Sequence, residues 1–283
     1  MSETSPFTMD ADWLQEHLGT PGLSIVDASW YLPAQGRDAR AEYEASHIPG
    51  AVFFDKDAVV DPDSSLAHTL PDAATFARHV GAMGISADDT IVVYDGPGVF
   101  SAPRVWWMLR VMGVHQVYLL DGGFDRWKTA GRPVTTEPTK IAPNVFHVDF
   151  DASRVASLDD MRRIVGTGES QIADARPAGR FTGADPEPRA GMRGGHMPGA
   201  KSVPATTLSK DGKLLPPEEL RARFEQAGID LSRPVVTSCG SGITAAVVTL
   251  ALETLGHSAN RLYDGSWSEW GGRSDTPVVT GKE

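Results

Sequence analysis

"LLDGGFDRW" (residues 119–127) has a second copy later in the chain, "LYDGSWSEW" (residues 262–270), at an offset of 143 residues. Two further pairs of segments match in the same way, at offsets of 149 and 147 residues: "SHIPGAVFFD" (46–55) with "GHMPGAKSVP" (195–204), and "SIVDASW" (24–30) with "QIADARP" (171–177). Because the offsets drift by only a few residues, the repeat predicts two similar domains that differ in loop lengths.

Each half of the chain alternates short apolar runs with longer apolar helical patterns. The strand candidates are "TIVVYD" (90–95) and "PVVTSC" (234–239), and the helix candidates that follow them span 101–113 and 243–256. Three residues mark helix ends: Ser101 as an N-terminal cap, and Gly113 and Gly256 as C-terminal stops. Near-continuous apolar strands alternating with helices predict an α/β domain, a parallel sheet with helices on both faces. We therefore expect two such domains in tandem.

A proline-bearing stretch separates the two copies. "TEPTKIAPNVF" (136–146) carries two prolines and lacks a helical or strand period, which is typical of a linker. We accordingly expect an N-terminal domain over 1–142, a linker over 143–155 and a C-terminal domain over 156–283.

The composition excludes several classes of protein. The 283 residues include 26 basic and 37 acidic side chains, a net charge of −11, which argues against binding to nucleic acid or to an anionic membrane. A single cysteine forms no disulfide within the chain and no CxxC metal or redox site. The first residues show no secretory signal, and no apolar run has the length of a membrane span. We expect a cytoplasmic protein without a metal ion or cofactor.

The one cysteine, Cys239, lies in "VVTSCGSGITAAVV" (235–248), where a strand ends and a helix begins. Gly240 and Gly242 allow successive N–H groups to turn inward as an anion-binding nest, and the helix N-terminus adds positive potential. A lone cysteine is more often a buried structural residue, but these surroundings favour a thiolate nucleophile. The matching place in the first half holds Asp95, so only the second half is predicted to be catalytic.

Several kinds of cysteine chemistry remain open from the residues alone. A phosphatase of the C-x5-R type needs an arginine six residues after the cysteine, where this chain has Ala245. A cysteine protease needs a nearby histidine, and the eight histidines leave that open. A carrier that receives sulfur from a protein donor is a third alternative, and a non-catalytic structural protein is the least favoured.

Taken together, the tandem halves, the two "H-x-P-G-A" turns, "SAPRVWWMLR" (101–110) and "CGSGITA" (239–245) resemble the two-domain rhodanese sulfurtransferases over nearly the whole chain. The resemblance implies two tandem rhodanese-like domains. It also implies an enzyme that holds sulfur as a persulfide on Cys239 and passes it to an acceptor. With no second cysteine in the chain, the acceptor must be external: thioredoxin, a small thiol or cyanide.

The residues after the cysteine indicate the sulfur donor. Members of the family that use thiosulfate carry basic side chains there, whereas this chain has the neutral Gly240 and Ser241. The loop is similar to the form that uses 3-mercaptopyruvate, and thiosulfate is the alternative donor. In that form, arginines matching Arg180 in "DARPAGRF" and Arg189 in "DPEPRAG" hold the substrate carboxylate, which guanidinium groups bind bidentately.

The resemblance assigns the remaining site residues. Cys239 is expected to be the nucleophile, and Ser241 to polarise or deprotonate the substrate thiol. The loop residues expected to contact the substrate are Gly240, Gly242, Ile243 and Thr244. A first-domain histidine and aspartate assist the serine in the family, and the nearest match is His47 with Asp38 or Asp27 behind it. His47 has a twin in His196, however, and a repeated turn is more often structural.

Overall fold

A computed structural model describes residues 4–282 as two α/β domains. The elements of the first half are β1 (Thr8–Met9), α1 (Ala11–Glu16), β2 (Leu23–Asp27), α2 (Ala39–Ala45), β3 (Ala51–Phe53), α3 (Ala73–Ala82), β4 (Thr90–Tyr94), α4 (Ala102–Val111), β5 (Val117–Leu120) and α5 (Gly123–Thr129). Those of the second half are β6 (Val155–Ala156), α6 (Leu158–Thr167), β7 (Gln171–Asp174), α7 (Ala178–Thr182), β8 (Ala200–Ser202), β9 (Ser209–Lys210), β10 (Lys213–Leu214), α8 (Pro217–Gln226), β11 (Val235–Ser238), α9 (Ala245–Thr254), β12 (Asn260–Tyr263) and α10 (Ser266–Trp270).

The two large sheets have the same topology. The first has the strand order β1-β5-β4-β2-β3 and the second β6-β12-β11-β7-β8, and every pairing in both sheets is parallel. A separate antiparallel hairpin, β9-β10, lies in the second half. The predicted tandem α/β architecture, a parallel sheet flanked by helices in each domain, is confirmed.

The register shows which residues are equivalent in the two domains. Asp27 at the end of β2 faces Tyr94 in β4, and Asp174 at the end of β7 faces Ser238 in β11. Each of those central strands is followed by one residue at the sheet edge, which is Asp95 in the first domain and Cys239 in the second. Ligands of parallel α/β sheets bind beyond this carboxyl edge, so both positions lie where a site is expected.

The helices end where their glycines predict, but one N-terminus is capped differently. Gly113 and Gly256 follow α4 and α9 with φ of 99° and 77°, the left-handed backbone that stops a helix. The Ser101 hydroxyl makes no capping bond and instead donates to the carbonyl of Ala28 at 2.8 Å. The Asp95 carboxylate accepts the first N–H groups of α4 in its place. Within residues 4–282, no helix is long and apolar enough to span a membrane.

The domains pack against each other through α4 and α9, which share one hydrophobic core with residues from both sheets. Trp106 and Trp107 of α4 are fully buried in this shared core. The repeated Trp127 and Trp270 each lie in a core of their own domain. Their indole N–H groups donate to backbone carbonyls at 2.7 and 2.8 Å, so both are packing residues.

Candidate active site

Cys239 follows β11 directly and is buried, with 2% of its surface exposed. Its N–H donates to the Ser266 hydroxyl at 3.2 Å, and its carbonyl accepts the Trp267 N–H at 2.9 Å. The first domain repeats the second contact, because the Phe124 N–H donates to the Asp95 carbonyl at 2.9 Å. The thiol is therefore held at a defined place between the sheet edge and the start of α10.

The loop after Cys239 presents unpaired N–H donors. The N–H groups of residues 241–245 have no acceptor anywhere in residues 4–282, and Gly242 has a φ of 80° that a side chain resists. In the first domain, the equivalent loop encloses the Asp95 carboxylate, which accepts the N–H groups of Gly98, Phe100, Ser101 and Ala102. The same backbone design thus holds an anion in one domain and surrounds a thiol in the other.

Arg180, on α7, lies beside the cysteine loop. A Cβ atom built on Gly240 would stand 3.1 Å from Nη2 of Arg180, so the guanidinium lies against this glycine and would have to shift by a few tenths of an ångström for a larger residue. Glu187 orients this guanidinium through Nε at 3.1 Å and through a second, shorter contact to Nη2. Arg176 is buried between Glu187 and Asp174 and has no free edge for a ligand, in agreement with its expected structural role.

Arg189 reaches the same loop through Ser268. Its Nη1 donates to the Ser268 hydroxyl at 2.9 Å, and that hydroxyl donates to the Gly240 carbonyl at 2.6 Å. The structure therefore brings Arg180 and Arg189 together around Gly240, one residue from the thiol. Two guanidinium groups in this position can hold a small carboxylate.

The other loop residues with side chains, Ser241, Ile243 and Thr244, differ in burial and in hydrogen bonding. Ser241 is 8% exposed, and its hydroxyl forms no hydrogen bond with any residue in 4–282. The Ile243 side chain is buried, and Thr244 is the residue before α9 without a side-chain cap. The Ser241 hydroxyl is consequently the free polar side-chain group of the loop.

Arg104, from α4 of the first domain, joins this loop to the opposite domain. The side chain is fully buried, and it donates to the Gly242 carbonyl at 3.3 Å, to the His68 carbonyl at 2.7 Å and to the Asp264 carboxylate at 2.6 Å. A Cβ atom on Gly242 would approach its Nη1 to 2.9 Å. The sequence did not single out this arginine, because its partners belong to three separate segments.

A cluster of charged first-domain residues lies next to Arg104. Nδ1 of His68 is 2.6 Å from Nζ of Lys56 and 3.1 Å from Oδ1 of Asp57, and Lys56 and Asp57 are themselves 2.7 Å apart. The charge of Arg189 lowers the pKa of both Lys56 and His68, so this arginine lies within electrostatic range of the cluster. A longer stretch separates His47 from α3 than separates its twin from α8, and this insertion is the signal that could have pointed to the cluster.

His47 and Asp38 lie elsewhere in the first domain. His47 stacks on Tyr43, bonds the Tyr43 carbonyl through Nδ1 at 2.7 Å and pairs with Thr135, while Asp38 caps α2. His196 repeats the stacking and the backbone bridge in the second domain. Neither His47 nor Asp38 contacts the cysteine loop among residues 4–282. The histidine and aspartate that the structure brings toward the loop are His68 and Asp57.

Comparison with known proteins assigns the class. The model of the rhodanese-like domain matches residues 10–130 and 157–273, and the chain belongs to the rhodanese family of sulfurtransferases. The 3-mercaptopyruvate sulfurtransferase of Escherichia coli K12 is 44% identical, covering 95% of this chain and 96% of the relative. The crystal structure of SseA from Escherichia coli, described as a 3-mercaptopyruvate sulfotransferase, superimposes with a TM-score of 0.85 at 42% identity, over 93% of this chain and 99% of that one.

Overall identity does not separate the two sulfur donors. The thiosulfate sulfurtransferase of Cricetulus griseus is 43% identical, covering 91% of this chain and 89% of the relative. A difference of one per cent carries no information on the donor. The choice therefore depends on the residues around Cys239.

Proposed function

We propose that this sulfurtransferase takes sulfur from 3-mercaptopyruvate and passes it, through a persulfide on Cys239, to an external acceptor. The observation that carries the proposal is the pair Arg180 and Arg189, which flank Gly240 beside the thiol. A 2-keto acid has the carboxylate that such a pair binds. The neutral Gly240 and Ser241 add no charge for a dianionic donor at the cysteine itself.

The first half-reaction forms the persulfide. The substrate carboxylate binds to Arg180 and Arg189, and the Cys239 thiolate attacks the substrate sulfur. A bond forms between the two sulfur atoms while the carbon–sulfur bond breaks, and the electron pair leaves on carbon as the enolate of pyruvate. A proton on that carbon then completes pyruvate. No metal ion or cofactor takes part in this scheme.

The loop supports the product of this step. The unpaired N–H groups of residues 241–245 are donors for the terminal sulfur of the persulfide, as their counterparts are for the Asp95 carboxylate in the first domain. Backbone donors of this kind need no rearrangement as charge develops. The second half-reaction transfers the terminal sulfur to thioredoxin, to a small thiol or to cyanide, and returns the Cys239 thiolate.

We propose that the proton of the substrate thiol is handled by a serine assisted by a histidine and an aspartate. These residues are Ser241, His68 and Asp57. The Ser241 hydroxyl is the unpaired side-chain group of the cysteine loop, and Arg104 joins the backbone carbonyl of His68 to the same loop at Gly242. Asp57 contacts His68 on the ring nitrogen Nδ1, which leaves Nε2 for the serine or the substrate. This pair takes the part that the sequence assigned to His47 and Asp38.

The two domains are proposed to have different roles. The segment 1–142 supplies Arg104 and the His68 cluster as a wall of the pocket, and its own loop is filled by Asp95. The segment 156–283 carries the nucleophile and the clamp, and 143–155 connects the two. We also propose a cytoplasmic location, where an unpaired catalytic thiol stays reduced.

Two alternatives are tested by the same measurements. A thiosulfate sulfurtransferase is supported by the relative from Cricetulus griseus and by the cation Arg104, which contacts the loop at Gly242. A carrier that receives sulfur from a protein donor accepts a persulfide but turns over little free keto acid.

The decisive experiment compares the two donors and the state of Cys239. Incubation with 3-mercaptopyruvate is expected to add one sulfur atom, about 32 Da, to a peptide containing Cys239, and cyanide is expected to remove it. The kcat/KM for 3-mercaptopyruvate is expected to exceed that for thiosulfate. A higher value for thiosulfate would assign the alternative donor, and a persulfide without turnover would assign the carrier.

The clamp has a matched control in the first domain. Arg37 pairs with Glu42 through Nε and Nη2 and lies near Gly96, as Arg180 pairs with Glu187 near Gly240. We expect Arg180→Lys to lower kcat/KM for 3-mercaptopyruvate by about ten- to a hundredfold, since hydrogen bonds to charged groups contribute about 1.5–3 kcal/mol. Arg37→Lys should leave it unchanged. Equal kinetics in both variants would contradict the clamp.

A further inference from the structure

Lys56 is a buried lysine that the reaction scheme above does not use. It is 3% exposed and follows β3 by three residues. Its Nζ lies 2.6 Å from Nδ1 of His68, 2.7 Å from Oδ1 of Asp57 and 4.3 Å from the ring centroid of Trp30. Burying an ammonium costs several kcal/mol unless it is paired, and the partner of Lys56, Asp57, is itself more than half exposed. A lysine at this buried position therefore suggests a role beyond the ion pair.

The contact with His68 defines the protonation of the imidazole. A lysine ammonium has three donors and no acceptor, so a ring nitrogen 2.6 Å from Nζ must accept a hydrogen bond. Nδ1 is then without a proton, and the neutral ring carries its proton on Nε2. Asp57 alone would favour the opposite tautomer, because a carboxylate accepts from Nδ1–H.

The competition between Lys56 and Asp57 for Nδ1 is decided by distance and by solvent. Nζ is half an ångström nearer to Nδ1 than Oδ1 of Asp57 is. The Asp57 side chain is 58% exposed, so water shares its oxygens, and its Oδ2 already accepts the indole N–H of Trp30 at 3.1 Å. A lysine that donates to Nδ1 and Asp57 together satisfies both acceptors.

We propose that Lys56 is a positioning residue that holds His68 as the Nε2–H tautomer, so that the imidazole offers a proton donor rather than a base to the reacting keto acid. Nε2 forms no hydrogen bond with any residue in 4–282 and is available to a substrate. A donor there stabilises the oxygen of the departing enolate or supplies its proton. This part of the inference rests on the proposed use of a 2-keto acid, whereas the tautomer itself does not.

The charges around Lys56 set the pH range of this arrangement. Asp57 attracts the ammonium, while Arg104 and Arg189 repel it, and burial dominates by lowering the pKa of Lys56 to about 8. Burial also lowers the pKa of His68, so the ring stays neutral at pH 7. Above about pH 8, Lys56 loses its proton, and Nδ1 of His68 no longer has to accept a hydrogen bond from an ammonium. The tautomer with its proton on Nδ1, facing Asp57, then becomes available.

The first test reads the tautomer directly and requires no turnover. Long-range ¹H–¹⁵N spectra of histidine-labelled full-length protein show which ring nitrogen carries the proton, and His68→Gln identifies the His68 signals. We expect Nε2–H at pH 7 in the native chain and Nδ1–H in Lys56→Met. The control Lys213→Met removes a lysine that pairs with Asp121 at another contact between the domains and should keep Nε2–H. Nδ1–H in the native chain, or an unchanged tautomer in Lys56→Met, would overturn the proposal.

The second test connects the tautomer to the reaction. Lys56→Met is expected to lower kcat with 3-mercaptopyruvate about tenfold and to remove the decline in kcat above about pH 8, while the thermal midpoint and KM change little. In a His68→Gln background the same substitution should have no further effect on kcat. Full additivity of the two substitutions would refute action through His68. If the native chain does not turn over 3-mercaptopyruvate, the proposed function fails, and the spectra still decide the tautomer.

Discussion

Replacing Arg104 with methionine tests whether the first domain holds the catalytic loop in place. The substitution keeps a long side chain in the core next to Trp107 but removes the donors to the Gly242 carbonyl, the His68 carbonyl and the Asp264 carboxylate. Asp264 keeps one partner, the Leu70 N–H at 2.7 Å. His68 has a φ of 67°, an unusual backbone for a residue other than glycine, and it loses the donor on its carbonyl.

The loss of stability follows from these contacts. Two of the three hydrogen bonds are short and involve a charged group, and the 3.3 Å bond to Gly242 is weaker. Removing one partner of a buried ion pair costs about 3–5 kcal/mol, because the other charge stays buried. For a chain of this size, that cost corresponds to a decrease in Tm of about 10 °C. We also expect kcat to fall at least tenfold, since the loop that carries Cys239 is no longer anchored.

The assay combines urea denaturation with steady-state turnover of 3-mercaptopyruvate, and Arg110→Met is the control. Arg110 also lies on α4 and crosses to the second domain, where its Nη2 is 3.1 Å from Glu253, but it does not contact the loop. We expect about 1–2 kcal/mol of destabilisation and an unchanged kcat for this variant. If Arg104→Met folds and keeps its kcat within about twofold, the anchoring argument is refuted.

Four further substitutions have expected outcomes. Gly242→Ala should lower the unfolding free energy by about 2 kcal/mol and slow persulfide formation, because its Cβ would stand 2.9 Å from Nη1 of Arg104. Its control is Gly256→Ala, whose Cβ would have no atom within 4 Å. This control should lower the unfolding free energy by about 1 kcal/mol and keep the activity. Asp95→Asn should cost about 1–3 kcal/mol, since its amide would face N–H donors, and should leave kcat unchanged. Burial raises the pKa of Asp27 from 3.8 to about 6, so the contribution of Asp27 to the unfolding free energy should fall as pH rises from about 4 to 6, and the difference between the native chain and Asp27→Asn should follow this fall.

Denaturation curves and turnover assays check all four substitutions. Equal activity in the two glycine variants would show that the loop tolerates a side chain next to Arg104. A loss of kcat in Asp95→Asn with unchanged stability would contradict the scaffold role of the first-domain loop. The native form of Asp27 binds its proton more tightly than the unfolded form does, so a stability difference between the native chain and Asp27→Asn that rises between about pH 4 and 6 would contradict the prediction.

Most strands and helices could be predicted from the sequence, because the patterns that indicate them are local and occur in both halves of the chain. The strand candidates 90–95 and 234–239 became Thr90–Tyr94 and Val235–Ser238, and the helix candidate 243–256 became Ala245–Thr254. Apolar periodicity and terminal glycines act within a few residues of where they are read. Repetition doubled the evidence for each element.

The site histidine is a residue that local sequence patterns do not identify. His47 stands in a motif that is visible in both halves, but the turn it belongs to is stabilised by its own neighbours in each domain. His68 lies in an irregular segment without periodicity, and its partners Lys56 and Asp57 precede it by more than ten residues. Nothing in the order of residues shows that this segment folds toward the cysteine of the other domain.

Short-range patterns in the sequence predicted the tandem α/β architecture and the strand–loop–helix setting of Cys239, whereas Arg180 and Arg189 were predicted from the resemblance of their motifs to the family. The folded chain was needed to show that Arg104 crosses from the first domain to Gly242, and that His68 and Lys56 form a cluster next to Arg104. The physical reason is the packing of α4 on α9, which buries apolar residues of both domains and carries the charged groups at its edge into contact with the loop.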